Sequence, residues 1–141
     1  GGSEENIEFL KSYAEKKGVN IVIEPRLSQE ELVSLVKSSL AVVSLARGEP
    51  FGLTPIEAQA AGTPALMVNE GGYRFTVEDG VSGRLLPRGN WNEWHSALES
   101  ARDEERRENW SKEGQKNIEI LGLRPNDQAD ALNEIISKLR N

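Results

Sequence analysis

The segment RGEPFGLTPIE (residues 47–57) sets two carboxylates on either side of a Pro-Phe-Gly turn. Glu49 falls in a loop after an apolar run, and Glu57 falls in the helix that the turn introduces. Between them, Gly52 lets a ligand approach the backbone without a Cβ in the way. Pro55 suits the first helical position, where its missing N–H would have had no partner. The amides around Phe51, Gly52, Leu53 and Thr54 then project from a helix N-terminus, where the helix dipole favours an anion. A diphosphate is the expected guest.

Two readings of Glu57 stand side by side. Thr54-Pro55-Ile56-Glu57 fits the S/T-x-x-E capping box, in which the Glu57 carboxylate reaches back to the backbone N–H of Thr54. A carboxylate has about four acceptor sites, so one oxygen can cap the helix while the other takes a ligand hydroxyl. Glu49 has no local capping motif to explain it. GGY (71–73) is a second glycine-rich approach, again just after an apolar run. It lacks the G-x-G-x-x-G spacing of a dinucleotide site, which disfavours a nicotinamide or flavin fold. Turning the chain and contacting a ligand explain Gly71 and Gly72 about equally well. Arg47 and Arg74 flank the two loops and could meet phosphate oxygens. His95, the only histidine, reads as a partly buried packing residue beside Trp91, Trp94 and Leu98. The tryptophans recur at helical spacing and read as core, not as a sugar-stacking platform.

These residues need a scaffold, and the chain alternates helix and strand almost from its start. Ser3 can cap a helix to about Lys17, with Ile7, Leu10 and Ala14 on one stripe and Gly18 as its stop. VNIVIEP (19–25) reads as a short strand closed by proline. Ser28 and Glu31 form a capping-box pair before a helix with Leu32, Leu35, Val36 and Leu40 at helical spacing. LAVVSLA (40–46) is apolar throughout, as a strand buried between two helix layers should be. The helix after Thr54 runs to Gly62, TPALMV (63–68) is another buried strand, and GRLLP (83–87) a short one. The remainder reads as a helical segment over about 90–140. It has stripes at Trp91, Trp94, Leu98 and Ala101 and at Trp110, Gly114, Ile118 and Leu121. Gly122 and Pro125 then break the chain before a last helix carrying Leu132, Ile135, Ile136 and Leu139. Alternating elements with buried strands predict an α/β fold, a parallel sheet with helices on both faces. In such a sheet ligands bind beyond the carboxyl ends of the strands, where Glu49 falls.

Composition narrows the function classes. The 141 residues suffice for one domain with a core. A net charge of −6, with basic and acidic residues interspersed, argues against a binder of phosphate backbones. The absence of cysteine excludes disulfides and Cys-ligated metal or cluster sites and suits a reducing cytosol. No apolar run approaches the roughly 20 residues of a membrane span.

Residues 47–87 resemble the signature region of the retaining glycosyltransferases of family 4, whose pattern is E-x-F-G-x-x-x-x-E, A-x-A-x-G-x-P, G-G and V-x-D-G-x-x-G-x-L-x-P. Its elements are Glu49, Phe51, Gly52, Glu57, Ala58, Ala60, Gly62, Pro64, Gly71, Gly72, Val77, Asp79, Gly80, Gly83, Leu85 and Pro87. The resemblance implies a Rossmann-like domain over 1–141, the C-terminal, donor-binding half of a GT-B fold. By that likeness Glu49 is catalytic, beside the reacting sugar carbon, and Glu57 holds ribose hydroxyls. The amides of Gly52 to Thr54 meet the diphosphate, Phe51, Gly71 and Gly72 complete the donor site, and Arg47 and Arg74 offer phosphate contacts. The implied donor is a nucleotide-diphosphate sugar, with a hexosyl unit transferred and no metal or other cofactor required. A stand-alone nucleotide or nucleotide-sugar binding module is the other reading. The family places an acceptor-binding domain and two further strands before this point, with the Arg and Lys that neutralise the diphosphate. Without them the sheet would have a gap between 19–24 and 40–46. Closing up of the strands, self-association through the incomplete sheet, or a longer parent protein would each answer that, and the opening GGS favours the last. The implied location is cytoplasmic, with any membrane association through the missing domain and no membrane span of its own.

Overall fold

The computed structural model of the chain describes residues 3–24, 26–123 and 126–130. Pro125 and the helix expected to carry Leu132, Ile135, Ile136 and Leu139 lie outside the described residues. The chain divides into two compact units, residues 1–32 and 33–141.

The first unit contains α1 (Glu4–Lys16), whose N-cap is Ser3: its hydroxyl accepts from the Asn6 amide. Glu4 and Glu5 in the first turn and Lys16 in the last complement the helix dipole. Ala14 is buried, while Leu10 is exposed, so the expected apolar stripe is buried only at its C-terminal end. Residues 19–24, expected as a strand, are irregular and join no sheet among the described residues. An apolar run is strand-competent only where a neighbour completes its backbone hydrogen bonds. Ser28 and Glu31 form the expected capping box at the start of α2 (Gln29–Ser38). The Ser28 amide donates to Glu31 Oε2 at 2.7 Å and the Glu31 amide to Ser28 Oγ at 3.2 Å. Those bonds, the Ser28 amide first, hold the Glu31 carboxyl below the ordinary carboxylate range.

The second unit is built on a three-stranded parallel sheet in the order β1 (Val42–Ser44), β2 (Ala65–Val68), β3 (Gly83–Leu86). The register pairs Val42 with Ala65 and Leu66 with Arg84. Between β1 and β2 runs α3 (Leu53–Ala60); between β2 and β3 lies the single turn α4 (Tyr73–Thr76). Two long helices follow, α5 (Trp91–Arg102) and α6 (Glu104–Ile120), the latter capped by Asp103 Oδ1 accepting from the Arg106 amide at 2.8 Å.

Only β2, central among the described strands, is buried at every position. LAVVSLA does not behave as a doubly covered strand: Val43 is 43% exposed, and Leu40 and Leu45 are exposed too. β1 has one strand neighbour among the described residues, and a parallel strand is enclosed only where both sides are covered. Leu66, Met67, Val68, Tyr73, Leu86, Trp94, Ala97 and Trp110 form the core. Removing each large apolar side chain from water is worth about 1.5–3 kcal/mol. Ala97 and Ala101 share the buried face of α5 with Trp94, whereas Trp91, His95 and Leu98 are exposed. His95 is therefore a surface residue and not the packing residue expected. The buried tryptophans also fix loops: Trp94 Nε1 donates to Pro87 O and Trp110 Nε1 to Gly80 O. Gln59, fully buried on α3, donates to Thr76 O at 2.8 Å and accepts from Asn117 Nδ2 at 2.8 Å. One amide thus ties α3, α4 and α6 together.

Candidate functional site

The carboxyl ends of the strands gather the loops that the sequence singled out. After β1 the chain passes Arg47, Gly48 and Glu49 to the start of α3; after β2 it passes Asn69 and Glu70 to Gly71 and Gly72. The two loops are interlocked by backbone. The Gly72 amide donates to Glu49 O at 2.8 Å. A Cβ at Gly72 would lie 2.4–2.5 Å from the backbone N, Cα and C of Phe51, and one at Gly71 would lie 2.5 Å from Glu49 O. One at Gly52 would meet Thr76 Oγ1 at 2.7 Å. Glycine at 52, 71 and 72 is what this close approach requires, whatever ligand is present.

The helix start differs from the sequence expectation. Gly52, in the left-handed region (φ 91°, ψ 55°), is the N-cap, so α3 begins at Leu53. Thr54 is the second helical residue and Pro55 the third, not the first. Proline is tolerated there because the first helical N–H groups lack intrahelical partners in any case. The Thr54–Glu57 capping box does not form. Glu57 is exposed and makes no side-chain hydrogen bond among the described residues. The capping carboxylate is Glu49 instead, whose Oε1 accepts from the Gly52 amide at 2.9 Å and the Phe51 amide at 3.4 Å. The residue without a capping motif in the sequence is the one that closes the loop, because the left-handed Gly52 turns two amides toward it. With Gly52 engaged and Pro55 lacking an N–H, Leu53 and Thr54 are left with unbonded amides at this terminus among the described residues.

The charges around the loops fall into separate roles. Arg47 is exposed and makes no hydrogen bond among the described residues. Arg74 is fixed by Asn69, through Nε to Oδ1 at 2.8 Å and Nη2 to the backbone oxygen at 2.7 Å. Arg88, two residues past β3, forms a bidentate pair with Glu70, both bonds at 2.8 Å. Its Nη1 also donates to Leu45 O at 3.0 Å and its Nη2 to Ala46 O at 3.3 Å. The hydrogen bonds from Arg88 hold the Glu70 carboxyl below the ordinary range, with smaller help from the charges of Arg88, Arg47 and Arg74. The same pair raises the pKa of the Arg88 guanidinium. Tyr73 and Ser44 share a hydrogen bond of 2.7 Å between hydroxyls, a further tie from β1 to α4. Phe51 and Leu53 are exposed on the loop and first turn.

The structure therefore brings Glu49, Phe51, Gly52, Leu53 and Thr54 together with Gly71 and Gly72. Arg88 is bonded to Glu70 beside them, and the charges of Arg47 and Arg74 act on the same carboxylate, while Glu57 is exposed on α3 and joins none of these contacts. Sequence reasoning passed over Arg88 and Glu70. A signal was present: opposite charges stand within two residues of the carboxyl ends of β2 and β3, which the register places side by side.

Comparison with known proteins agrees with this architecture. Residues 1–117 match the family described as glycosyl transferases group 1. The chain is 37% identical over 78 residues to a D-inositol 3-phosphate glycosyltransferase of Corynebacterium kroppenstedtii, covering 55% of this chain and 17% of that protein. It is 35% identical over 97 residues to the protein of that name from Paenarthrobacter aurescens, covering 67% of this chain and 24% of the relative. The chain thus spans about a fifth of the length of such relatives. Among solved structures it superposes on sucrose-phosphate synthase from Thermosynechococcus elongatus with a TM-score of 0.80 at 23% identity, over 94% of this chain and 34% of that one. The Rossmann-like parallel sheet is that of a GT-B half, and the chain belongs to the glycosyl transferases group 1 family.

Proposed function

We propose that this chain is the donor-binding part of a retaining glycosyltransferase that transfers a hexosyl unit from a nucleotide-diphosphate sugar. The observation that carries the reading is Glu49, held by the Gly52 and Phe51 amides beside the unbonded amides of Leu53 and Thr54. As the glycosidic bond to the diphosphate breaks, negative charge accumulates on the leaving group and positive charge on the sugar ring. Amides already aimed at the leaving oxygens stabilise the first without reorganising. The Glu49 carboxylate, with a second oxygen not used by the cap, stabilises the second. Arg47, exposed and unbonded, suits a phosphate contact, while Arg74 has one guanidinium nitrogen beyond those spent on Asn69. Glu57, exposed and without a hydrogen bond, suits the ribose hydroxyls. The reading asks for no metal, because amides and arginines meet the diphosphate charge. The acceptor site belongs to a part of the parent protein outside these residues, and its cleft is where transfer takes place.

The test is calorimetric titration of the chain with UDP, GDP and ADP, together with turnover by the parent protein. Expected are binding of one diphosphate in the micromolar range, no transfer by the 141 residues alone, and a loss on the order of a hundredfold or more in parent kcat for Glu49→Gln. Transfer by the isolated chain, or unaltered parent turnover in Glu49→Gln, would overturn the proposal.

A further inference from the structure

We infer that Arg88 is a positioning residue: it holds the loop that carries Glu49 in register with the Gly71–Gly72 loop. The inference rests on the proposed function for its consequence but on geometry for its substance. Arg88 stands just past the end of β3, and its guanidinium makes four hydrogen bonds to two other strand ends. Two go to Glu70 beyond β2 and two to the carbonyls of Leu45 and Ala46 beyond β1. The planar fork matches the carboxylate bidentately, which leaves the outer N–H groups directed at the carbonyls.

The loop from β1 to α3 is consequently tied at two points. Arg88 holds its beginning, at Leu45 and Ala46, and the Gly72 amide holds its middle, at Glu49 O. Both ties anchor it to residues 70–72, so Glu70 and Gly72 form one continuous seat for it. Arg88 itself is spent on this seat and has no fork left for a phosphate, in contrast to Arg47. Without Arg88, Glu70 would lose its bidentate partner and keep only the weaker influence of the Arg47 and Arg74 charges. The clamp thus serves geometry and charge together.

The experiment compares wild type with Arg88→Met, Arg88→Lys and Glu70→Gln by amide hydrogen exchange, thermal melting and UDP, GDP and ADP titration. In Arg88→Met, exchange at the Gly52 and Gly72 amides is expected to rise about tenfold or more, while Leu66 and Met67 and the melting temperature stay near wild type. Affinity for the diphosphate is expected to fall about tenfold. Arg88→Lys restores part of both, since an ammonium meets Glu70 but cannot span the two carbonyls as well. Glu70→Gln attacks the clamp from its other side and loosens the same two amides if Arg88→Met does not fold. Wild-type exchange at Gly52 and Gly72 in the folded variants overturns the inference, as does loosening that spreads equally to Leu66 and Met67. Absence of nucleotide binding by wild type sinks the proposed function, while the exchange rates still decide the role of Arg88.

Discussion

Replacing Gly72 by alanine separates packing from backbone freedom. Gly72 has φ −64° and ψ −19°, ordinary right-handed helical values that any residue adopts. At such a position a Gly→Ala change commonly stabilises by about 0.4–1 kcal/mol, because the unfolded chain loses freedom. Here the new Cβ would sit 2.4–2.5 Å from the backbone of Phe51. Backbone cannot swing aside like a side chain, so the two loops must part, at an overpacking cost of about 1–3 kcal/mol. Parting them also lengthens the 2.8 Å bond from the Gly72 amide to Glu49 O, worth about 1 kcal/mol. The clash wins, and the net loss is about 1–3 kcal/mol. For a domain of this size each kcal/mol moves Tm by about 3–4 °C, so the expected drop is about 3–12 °C by circular dichroism. Gly89→Ala is the control, with φ 85° and nothing within 4 Å of the added Cβ. It carries left-handed strain of about 1–2 kcal/mol and no clash. A Gly72→Ala protein as stable as wild type, or more so, would refute the interlocked loops, since conformation alone predicts that result.

Glu49→Ala removes the carboxylate that accepts from the Gly52 and Phe51 amides, so it should cost about 0.5–2 kcal/mol in urea unfolding. Glu57→Ala, at an exposed residue without a hydrogen bond among the described ones, should stay within about 0.5 kcal/mol of wild type; a larger loss from Glu57 than from Glu49 would restore the capping box read from the sequence. Glu31 titrates below the ordinary carboxylate range when folded, so its contribution is complete above that range and is lost as pH falls through the folded value. Glu31→Gln should therefore flatten the acid limb of a plot of Tm against pH, and an unchanged limb would count against the Ser28–Glu31 box.

Much of the fold was legible from local pattern alone. The Ser28–Glu31 box, the Ser3 cap and the apolar runs that become β1, β2 and β3 rest on interactions between residues near in sequence, and those are encoded in spacing. The forty-residue signature likewise located Glu49, Gly52, Gly71 and Gly72. What spacing could not decide was how separate loops meet. Glu57 satisfies the capping motif in sequence and caps nothing, because Gly52 turns left-handed and starts the helix two residues earlier than the motif implies. VNIVIE has strand composition and joins no sheet among the described residues, because a strand needs a neighbour and composition supplies none. Trp91 and Leu98 follow the helical period of Trp94 yet are exposed, since the packing of α5 buries Ala97 and Ala101 beside Trp94. Arg88 was passed over for the same reason: its partners lie eighteen residues back at Glu70 and more than forty back at Leu45 and Ala46. The chain's own sequence determined which residue types and turns could build an anion site at the strand ends. Only the tertiary structure decided that Glu49 closes the loop, that Gly71 and Gly72 are there for backbone-to-backbone contact, and that one arginine holds three strand ends together, because the first depends on the left-handed turn at Gly52 and the others on which distant backbone comes close.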